Sequence, residues 1–157
     1  LDISSVSYTN NKIHVTASDS SIKEQTHAAF LKPVPEIIFQ LTSYFQEAAI
    51  LYKKTAITES AAIADPKQIL YNAEDISQEN ALYKVLGRHA LNPEKSESPF
   101  LLLSSKIDHL TVKTILKFNF KLLITRTAPT QQALELAKQH HISIVGFARG
   151  RKYNWYT

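Results

Sequence analysis

The stretch Thr127–Thr157, TAPTQQALELAKQHHISIVGFARGRKYNWYT, carries the pattern that decides the fold. Pro129–His140 repeats apolar residues at helical spacing, and a proline is tolerated in the first turn of a helix. Ile142–Phe147 is a short apolar run of the kind that forms a buried strand. A basic turn follows at Ala148–Lys152. We therefore predict a helix, a strand, a basic turn and finally an aromatic strand packed on the core.

The same alternation extends upstream to Pro99. Phe100–Leu103 is a continuous apolar run, typical of a strand that is covered on both faces. Asp108 can cap a following helix, and Asn119 stands where a left-handed residue would end that helix. Lys121–Thr125 is the next predicted strand. Strand, helix, strand, helix and strand with short links indicate parallel pairing through right-handed crossovers.

The segment before Pro99 adds helices and strands in a less regular order. Ile37–Tyr52 keeps helical spacing and predicts the longest helix of the chain. Thr58–Ala64 and Gln68–Asn72 predict two adjacent strands. Glu79–Leu86 places its apolar residues on one helical face, and Gly87 is expected to end that helix.

The first residues are rich in Ser, Asn, Asp and Thr. Only Lys12–Thr16 alternates like a strand, and the rest of this segment is expected to be a mobile loop. We predict an N-terminal strand and loop at residues 1–32 and an α/β domain at residues 33–157. Because the sequence starts at Leu1 and contains no methionine, we expect a preceding segment to be missing.

Composition excludes several classes of function. The 157 residues contain no cysteine, so they form no disulfide, cysteine-ligated metal centre or thiolate nucleophile. A net charge of +4 is far below the basic excess of nucleic-acid-binding proteins, and no apolar run has the length of a membrane helix. The six histidines lack the H-E-x-x-H spacing, so no metal site is expected. We predict a cytoplasmic protein with no nucleic acid or membrane as partner.

Cations and hydroxyls follow three of the predicted strands, at Ser104–Lys106, Thr125–Thr130 and Phe147–Lys152. In open α/β sheets, ligands bind beyond the carboxyl ends of the strands. The cations that could converge there on a phosphate are Lys106, Arg126, Arg149, Arg151 and Lys152. Gly150 would let the backbone turn with positive φ. The alternative is that these are solvated surface charges and that Thr127 is only a helix cap. Glu74 and Asp75 are either an acid–base or metal-ligating pair or ordinary solvated loop charges.

The C-terminal motifs resemble the FdhD family, the accessory sulfurtransferases of formate dehydrogenase. Family members carry S-R-S-A-P-T before a helix and then V-G-F-x-R-G, followed by N-x-Y-T. Thr125–Thr130 and Val145–Gly150 match these motifs in order and spacing, and Asn154 and Tyr156-Thr157 follow. Ser104–Lys106 stands where the family has S-G-R.

The upstream motifs resemble the family but depart from it at several positions. The family's T-G-x-x-H-A-A appears as Thr55–Ala62, without the glycine and the histidine. Its E-D-V-G-R-H-N appears as Glu74–Asn80, with Ser77, Gln78 and Glu79 in place of G-R-H. Thr16–Ile22 corresponds to the loop that carries C-x-x-C, and Asp19 and Ile22 then stand where cysteines would be.

The resemblance implies a three-layer α/β/α fold with a mixed, mostly parallel sheet, like that of the cytidine deaminases but without their zinc. Family members are usually homodimers. They take sulfur from a cysteine desulfurase as a persulfide and pass it to the molybdenum bis-pterin guanine dinucleotide of formate dehydrogenase. The residues implied to contact the guanine dinucleotide are Ser104, Lys106, Arg126, Thr127, Ala128, Pro129, Thr130, Phe147, Ala148, Arg149, Gly150, Arg151 and Lys152.

Three hypotheses for the function follow. The chain could bind the molybdenum cofactor or a guanine nucleotide without transferring sulfur, because neither serine nor aspartate carries sulfane sulfur. It could be a dimeric interaction scaffold whose pocket has decayed. It could also be a nucleotide-directed enzyme that uses Glu59, Glu74, Asp75 and Glu79. Whether the chain is an enzyme therefore stays open at this point.

Overall fold

The computed structural model describes residues 2–9, 12–18, 32–92, 96, 98–118 and 120–157. The elements, in chain order, are β1 (Asp2–Thr9), β2 (Lys12–Ser18), α1 (Pro35–Glu47), α2 (Ile50–Thr55), β3 (Glu59–Ala64), β4 (Ile69–Asp75), α3 (Gln78–Leu91), β5 (Phe100–Leu103), α4 (His109–Ile115), a 3-10 turn (Leu116–Phe118), β6 (Leu122–Thr125), α5 (Gln131–Gln139), β7 (Ser143–Arg149) and β8 (Lys152–Tyr156).

Strands β3 to β8 form one mixed sheet in the order β4-β3-β5-β6-β7-β8. The pairs β5–β6 and β6–β7 are parallel, as predicted from the strand–helix alternation. The pairs β3–β4, β3–β5 and β7–β8 are antiparallel. The share of parallel pairing is thus smaller than predicted. The links at residues 65–68 and 150–151 are too short for a crossover and force neighbouring strands to run in opposite directions.

Helices cover both faces of this sheet, so the three-layer α/β/α architecture is confirmed. Helices α3, α4 and α5 pack one face through buried residues such as Leu82, Val112 and Ala137. Helix α1 packs the other face through Ile38, Leu41 and Phe45. Every residue of β5 is at most 2% exposed. Because neighbouring strand residues point to opposite faces, β5 contributes to both halves of the core.

The N-terminal residues form a separate two-stranded antiparallel sheet, in which β1 pairs with β2. The strand predicted at Lys12–Thr16 is confirmed. The loop expected before it is wrong, because residues 2–9 form the partner strand. Pairing between strand backbones does not require apolar side chains, so the polar composition of residues 2–9 did not reveal strand β1. The loop predicted after residue 18 falls largely on residues 19–31, which lie outside the described part, and the domain division at residues 32 and 33 stays a prediction.

The apolar spacing of Ile37–Tyr52 belongs to two helices rather than one. Ala49 leaves the helical region, with φ −77° and ψ 70°, and α2 starts at the next residue. Among the helices of the described residues, α3 is the longest, with 14 residues against 13 for α1. The end predicted at Gly87 is also wrong, because α3 continues to Leu91.

The predicted cap of α4 is confirmed, because the carboxylate of Asp108 accepts a hydrogen bond from the N–H of Thr111 at 2.9 Å. The residue predicted to end that helix, Asn119, lies outside the described residues. Helix α5 starts later than predicted. Thr130 is its N-cap and accepts from the N–H of Ala133 at 3.2 Å, so Pro129 precedes the helix and Thr127 does not cap it. No helix in the described ranges is long and apolar enough to cross a membrane.

Candidate functional site

The loops after β5 and β6 run side by side at the carboxyl edge of the parallel strands. The N–H of Arg126 donates to the carbonyl of Leu103 at 3.3 Å. Ile107 then donates to the carbonyl of Ala128 at 3.3 Å and accepts from the N–H of Thr130 at 2.8 Å. These bonds continue the parallel pairing beyond the sheet. Backbone contacts therefore fix the loop after β5, residues 104–108, against the loop after β6, residues 126–130.

A bulge in β7, within the Val145–Gly150 segment, connects this segment to the loop after β6. Phe147 has φ 55°, and its N–H donates to the carbonyl of Thr127 at 2.8 Å. A Cβ atom on Gly146 would lie 3.0 Å from the Tyr156 ring and 3.1 Å from Pro129 Cδ. Glycine is therefore favoured at this position, because the loop after β6 and the Tyr156 ring of β8 leave little space beside the backbone of β7.

The strands β7 and β8 are joined by the basic hairpin, Arg149–Lys152, in which Arg149 pairs with Lys152. Gly150 and Arg151 have φ 58° and 61°, as a two-residue type I′ turn requires at both positions. The predicted positive φ at Gly150 is thus confirmed. The guanidinium of Arg151 lies 5.9 Å from the ring centre of Phe39, so the basic hairpin lies against α1.

The Arg126 pocket is a cavity of about 160 Å³ at the ends of β3, β5 and β6, beneath the end of α1 and the start of α2. Its lining residues are Phe45, Gln46, Ala49, Tyr52, Thr58, Glu59, Ser60, Ser104 and Arg126. The sequence predicted only Ser104 and Arg126 as binding residues and Glu59 as a member of an acidic cluster. The spacing of Phe45 and Tyr52 marked them as helix residues, but it did not show that the helix breaks between them.

Hydrogen bonds fix the two charged side chains of the Arg126 pocket. The hydroxyl of Ser104 donates to Glu59 Oε2 and accepts from the N–H of Ser60 at 2.8 Å. With the Gln46 amide oriented so that its oxygen faces Arg126, this oxygen accepts from Nε at 2.7 Å and from Nη2 at 3.0 Å. The pocket therefore contains one oriented carboxylate and one oriented guanidinium, whose charges offset each other.

Glu74 holds α2 in place through hydrogen bonds to its first turn. Its carboxylate accepts from the N–H groups of Leu51 and Tyr52, both at 2.8 Å, and from the Thr58 hydroxyl at 3.2 Å. The first N–H groups of a helix have no partner within the helix, so this carboxylate supplies one. A helix of six residues needs such support, because isolated helices this short are unstable.

Asp75 and Glu79 are also engaged in local bonds. Asp75 lies 2.6 Å from Lys84 Nζ, and hydrogen bonds from Lys84 and then from the Ser77 N–H lower its pKa from 3.8 to about 2. A hydrogen bond from the Ser77 hydroxyl lowers the pKa of Glu79. In the part of the chain that the structure describes, no group of three or more His, Asp or Glu side chains could hold a metal ion. The acidic residues of the third hypothesis thus have separate structural partners.

The five predicted cations do not meet at one point. Arg126 bonds to Gln46 near the end of α1, whereas Arg151 lies over Phe39 in the first half of that helix. Residues 39 and 46 are separated by about 10 Å along the helix axis. Lys106 is exposed on the other side of the sheet edge, where its charge acts on Glu79 and Asp108. The structure therefore separates a pocket with Arg126 from the basic hairpin.

Comparisons with known proteins agree with this arrangement. The model of the FdhD/NarQ family matches residues 3–157. The chain is 30% identical to sulfur carrier protein FdhD of Listeria monocytogenes over 141 residues, which are 89% of this chain and 54% of that protein. It is 32% identical over 123 residues to the protein of the same name from Halalkalibacterium halodurans, covering 78% of this chain and 46% of that one. The chain thus spans about half the length of these curated relatives.

A solved structure shares the fold. A protein from Desulfotalea psychrophila, assigned as a formate dehydrogenase accessory protein, superposes with a TM-score of 0.80 at 19% identity. The superposition covers 99% of this chain and 67% of that one. The resemblance stated from the sequence motifs is confirmed, and with a family match that runs from residue 3 to the last residue, this chain belongs to the FdhD/NarQ family.

Proposed function

We propose that this chain acts as an accessory protein of formate dehydrogenase that binds molybdenum bis-pterin guanine dinucleotide, or a guanine nucleotide like it, during cofactor sulfuration or insertion. The observation that carries the proposal is the position of the Arg126 pocket and the basic hairpin at the carboxyl edge of β5, β6 and β7. Ligands of open α/β sheets bind at this edge. Arginine also offers the paired N–H donors that phosphate oxygens favour.

Sulfur transfer by these 157 residues is not part of the proposal. A persulfide requires a cysteine sulfur, and the sequence contains none. The chain would therefore hold the cofactor while another protein supplies the sulfur. Family resemblance supports a cysteine desulfurase and formate dehydrogenase as partners, a homodimer as the assembly and the cytoplasm as the compartment.

Calorimetric titration with GDP and with the isolated molybdenum cofactor, at low and at moderate salt, tests the proposal. We expect Arg126→Ala to weaken GDP binding at least tenfold, because a hydrogen bond to a charged group contributes about 1.5–3 kcal/mol. Arg149→Ala should weaken binding mainly at low salt, where an exposed charge is less screened. Lys138→Ala removes an exposed charge from α5 and should change little. The absence of binding to the unmodified protein would overturn the proposal.

An interaction scaffold is the second candidate, and an exposed apolar surface around α2 favours it. The side chains of Tyr44, Ile50, Leu51, Tyr52 and Ile57 are each about half exposed or more. Analytical ultracentrifugation of the unmodified chain and of Ile50→Glu tests this candidate. A dimer that dissociates in the variant, together with no GDP binding, would favour the scaffold over the nucleotide-binding protein.

A further inference from the structure

The Arg126 pocket suits a single ring system better than a whole dinucleotide. Its volume of about 160 Å³ is below the roughly 300–1,000 Å³ of typical ligand pockets. The carboxylate of Glu59 also disfavours a phosphate at this position, because like charges repel strongly where water is partly excluded. If the proposed function holds, the pocket is therefore the place for the base, and the phosphates lie outside it.

The walls of the pocket match a flat aromatic ligand. Phe45, which is buried, and Tyr52, which is about half exposed, both line the pocket. Stacking on an aromatic side chain adds affinity for any base, because every base has a π-face. The walls thus provide affinity for a base, and the choice among bases must come from the polar groups.

Glu59 presents hydrogen-bond acceptors to the pocket. An ionised carboxylate has two acceptor oxygens with about four lone-pair positions. The Ser104 hydroxyl donates to Oε2, and no other described residue donates a hydrogen bond to this carboxylate. The Ser60 N–H fixes Ser104 in turn, so the carboxylate is oriented without being saturated. Arg126 uses Nε and Nη2 for Gln46 and keeps the N–H groups of Nη1 for a ligand.

We propose that Glu59 selects guanine by accepting hydrogen bonds from its N1–H and N2 amino group, while Arg126 donates to O6. Guanine combines donors on one side with the O6 and N7 acceptors on the other, whereas adenine places an acceptor next to its single amino group. A carboxylate would therefore face a ring acceptor of adenine. Glu59 stands where the family motif has histidine, whose ring offers at most one acceptor, so this mode of selection is particular to this chain.

The position of the basic hairpin fits the remainder of the nucleotide. Gln46, which bonds to Arg126, and Phe39, which lies under Arg151, are about 10 Å apart along α1. A ribose and a diphosphate can follow α1 over this span. The phosphates would then lie near Arg149, Arg151 and Lys152. The uncharged base would occupy the Arg126 pocket, in which the charges of Glu59 and Arg126 offset each other.

Calorimetric titration of the unmodified chain with GDP, IDP and ADP tests the proposal. IDP lacks only the N2 amino group, so we expect it to bind roughly 5- to 150-fold more weakly than GDP, since a bidentate base contact contributes about 1–3 kcal/mol of discrimination. ADP should bind more weakly still. Glu59→Gln should weaken GDP binding about tenfold or more and reduce the preference of GDP over IDP. The matched control is Glu135→Gln on α5, which should keep both affinities.

The outcomes separate this inference from the proposed function. Equal affinities for GDP and IDP would overturn the role of Glu59 and leave nucleotide binding intact. The absence of GDP binding would overturn both. If Glu59→Gln does not fold, as thermal unfolding would show, equal affinities of the unmodified chain for GDP, IDP and ADP would still overturn the inference.

Discussion

Asp75 illustrates how a residue in a family-like motif can serve the fold. Its carboxylate accepts from the Ser77 N–H at 3.0 Å and from the Asn80 side chain at 3.3 Å, and it forms an ion pair with Lys84 at 2.6 Å. These bonds favour the charged form, and the pKa of Asp75 falls to about 2. The segment between β4 and α3 is thereby fixed by a charged side chain.

The low pKa of Asp75 predicts a loss of stability in acid. Because its folded pKa of about 2 lies below the ordinary value of 3.8, the unfolded chain binds the proton more readily. Its contribution is therefore complete above pH 4 and declines as the pH falls towards 2. NMR titration should show that Lys84→Met raises the pKa of Asp75 towards 3.8, whereas Lys113→Met on α4 should leave it unchanged. An unchanged pKa in Lys84→Met would contradict the assigned cause.

Ala56 occupies a backbone conformation that favours glycine. It ends α2 with φ 57°, and its N–H donates to the carbonyl of Tyr52 at 2.7 Å. The family motif T-G-x-x-H-A-A has glycine at this position. A non-glycine residue in the left-handed region costs roughly 1–2 kcal/mol. The chain therefore accommodates a strained residue two positions before Thr58, which lines the Arg126 pocket.

Ala56→Gly should raise the free energy of unfolding by about 0.5–1 kcal/mol, because relief of the strain exceeds the added entropy of the unfolded chain. Ala48→Gly is the matched control. Ala48 has φ −71°, so this change should lower the free energy of unfolding by about 0.5–1 kcal/mol. Urea denaturation measures both values. A shift of the same sign in the two variants would show that the left-handed conformation is not the cause.

At the scale of elements, the loops after β5 and β6 and the bulge of β7 are joined mainly through backbone groups. Gly146 lies where these segments approach each other, whereas Gly87 lies in the interior of α3, where an added Cβ atom would meet nothing within 4 Å. Substitution of the two glycines by alanine is therefore expected to change stability in opposite directions. A side chain at position 146 would be crowded by its neighbours, whereas a side chain at position 87 would have open space and would strengthen the helix.

Gly146→Ala should destabilise the protein by about 1–3 kcal/mol, because its Cβ would press against Tyr156, Pro129 and the Thr127 carbonyl. Gly87→Ala should stabilise it by about 0.5–1 kcal/mol through the better helix propensity of alanine. Thermal unfolding measures the two variants side by side. If Gly146→Ala were as stable as the unmodified protein, the close contact between β7 and the loop after β6 would be refuted.

At the scale of the whole molecule, the chain has the fold of an FdhD/NarQ protein, while its 157 residues contain no cysteine that could carry sulfane sulfur. The loops after β5 and β6 and the Val145–Gly150 segment are joined at one edge of the sheet, and the Arg126 pocket opens beside them. The hydroxyl and carboxylate groups of Ser104 and Glu59 cannot carry sulfane sulfur. The proposed binding of the cofactor therefore does not depend on sulfur transfer by these residues.

Incubation with a cysteine desulfurase and isotopically labelled cysteine should leave no covalent sulfur on these 157 residues, because no thiol is present to accept it. Mass spectrometry of the intact chain is the measurement. Release of sulfide in the presence of dithiothreitol confirms that the desulfurase is active. A stable persulfide on this chain would disprove the prediction.

The sequence by itself determined the α/β class, the parallel strands β5, β6 and β7, the cap at Asp108 and the family, because local hydrophobic spacing and short motifs encode them. Only the tertiary structure decided that the helical pattern breaks before α2, because the carboxylate that caps α2 comes from Glu74 on a distant strand. It also decided that Arg126 and Arg151 lie apart along α1 and that Glu59 joins Ser104 in a pocket. These contacts join segments that are remote in sequence, and residue spacing along the chain does not determine how far apart such segments lie in the fold.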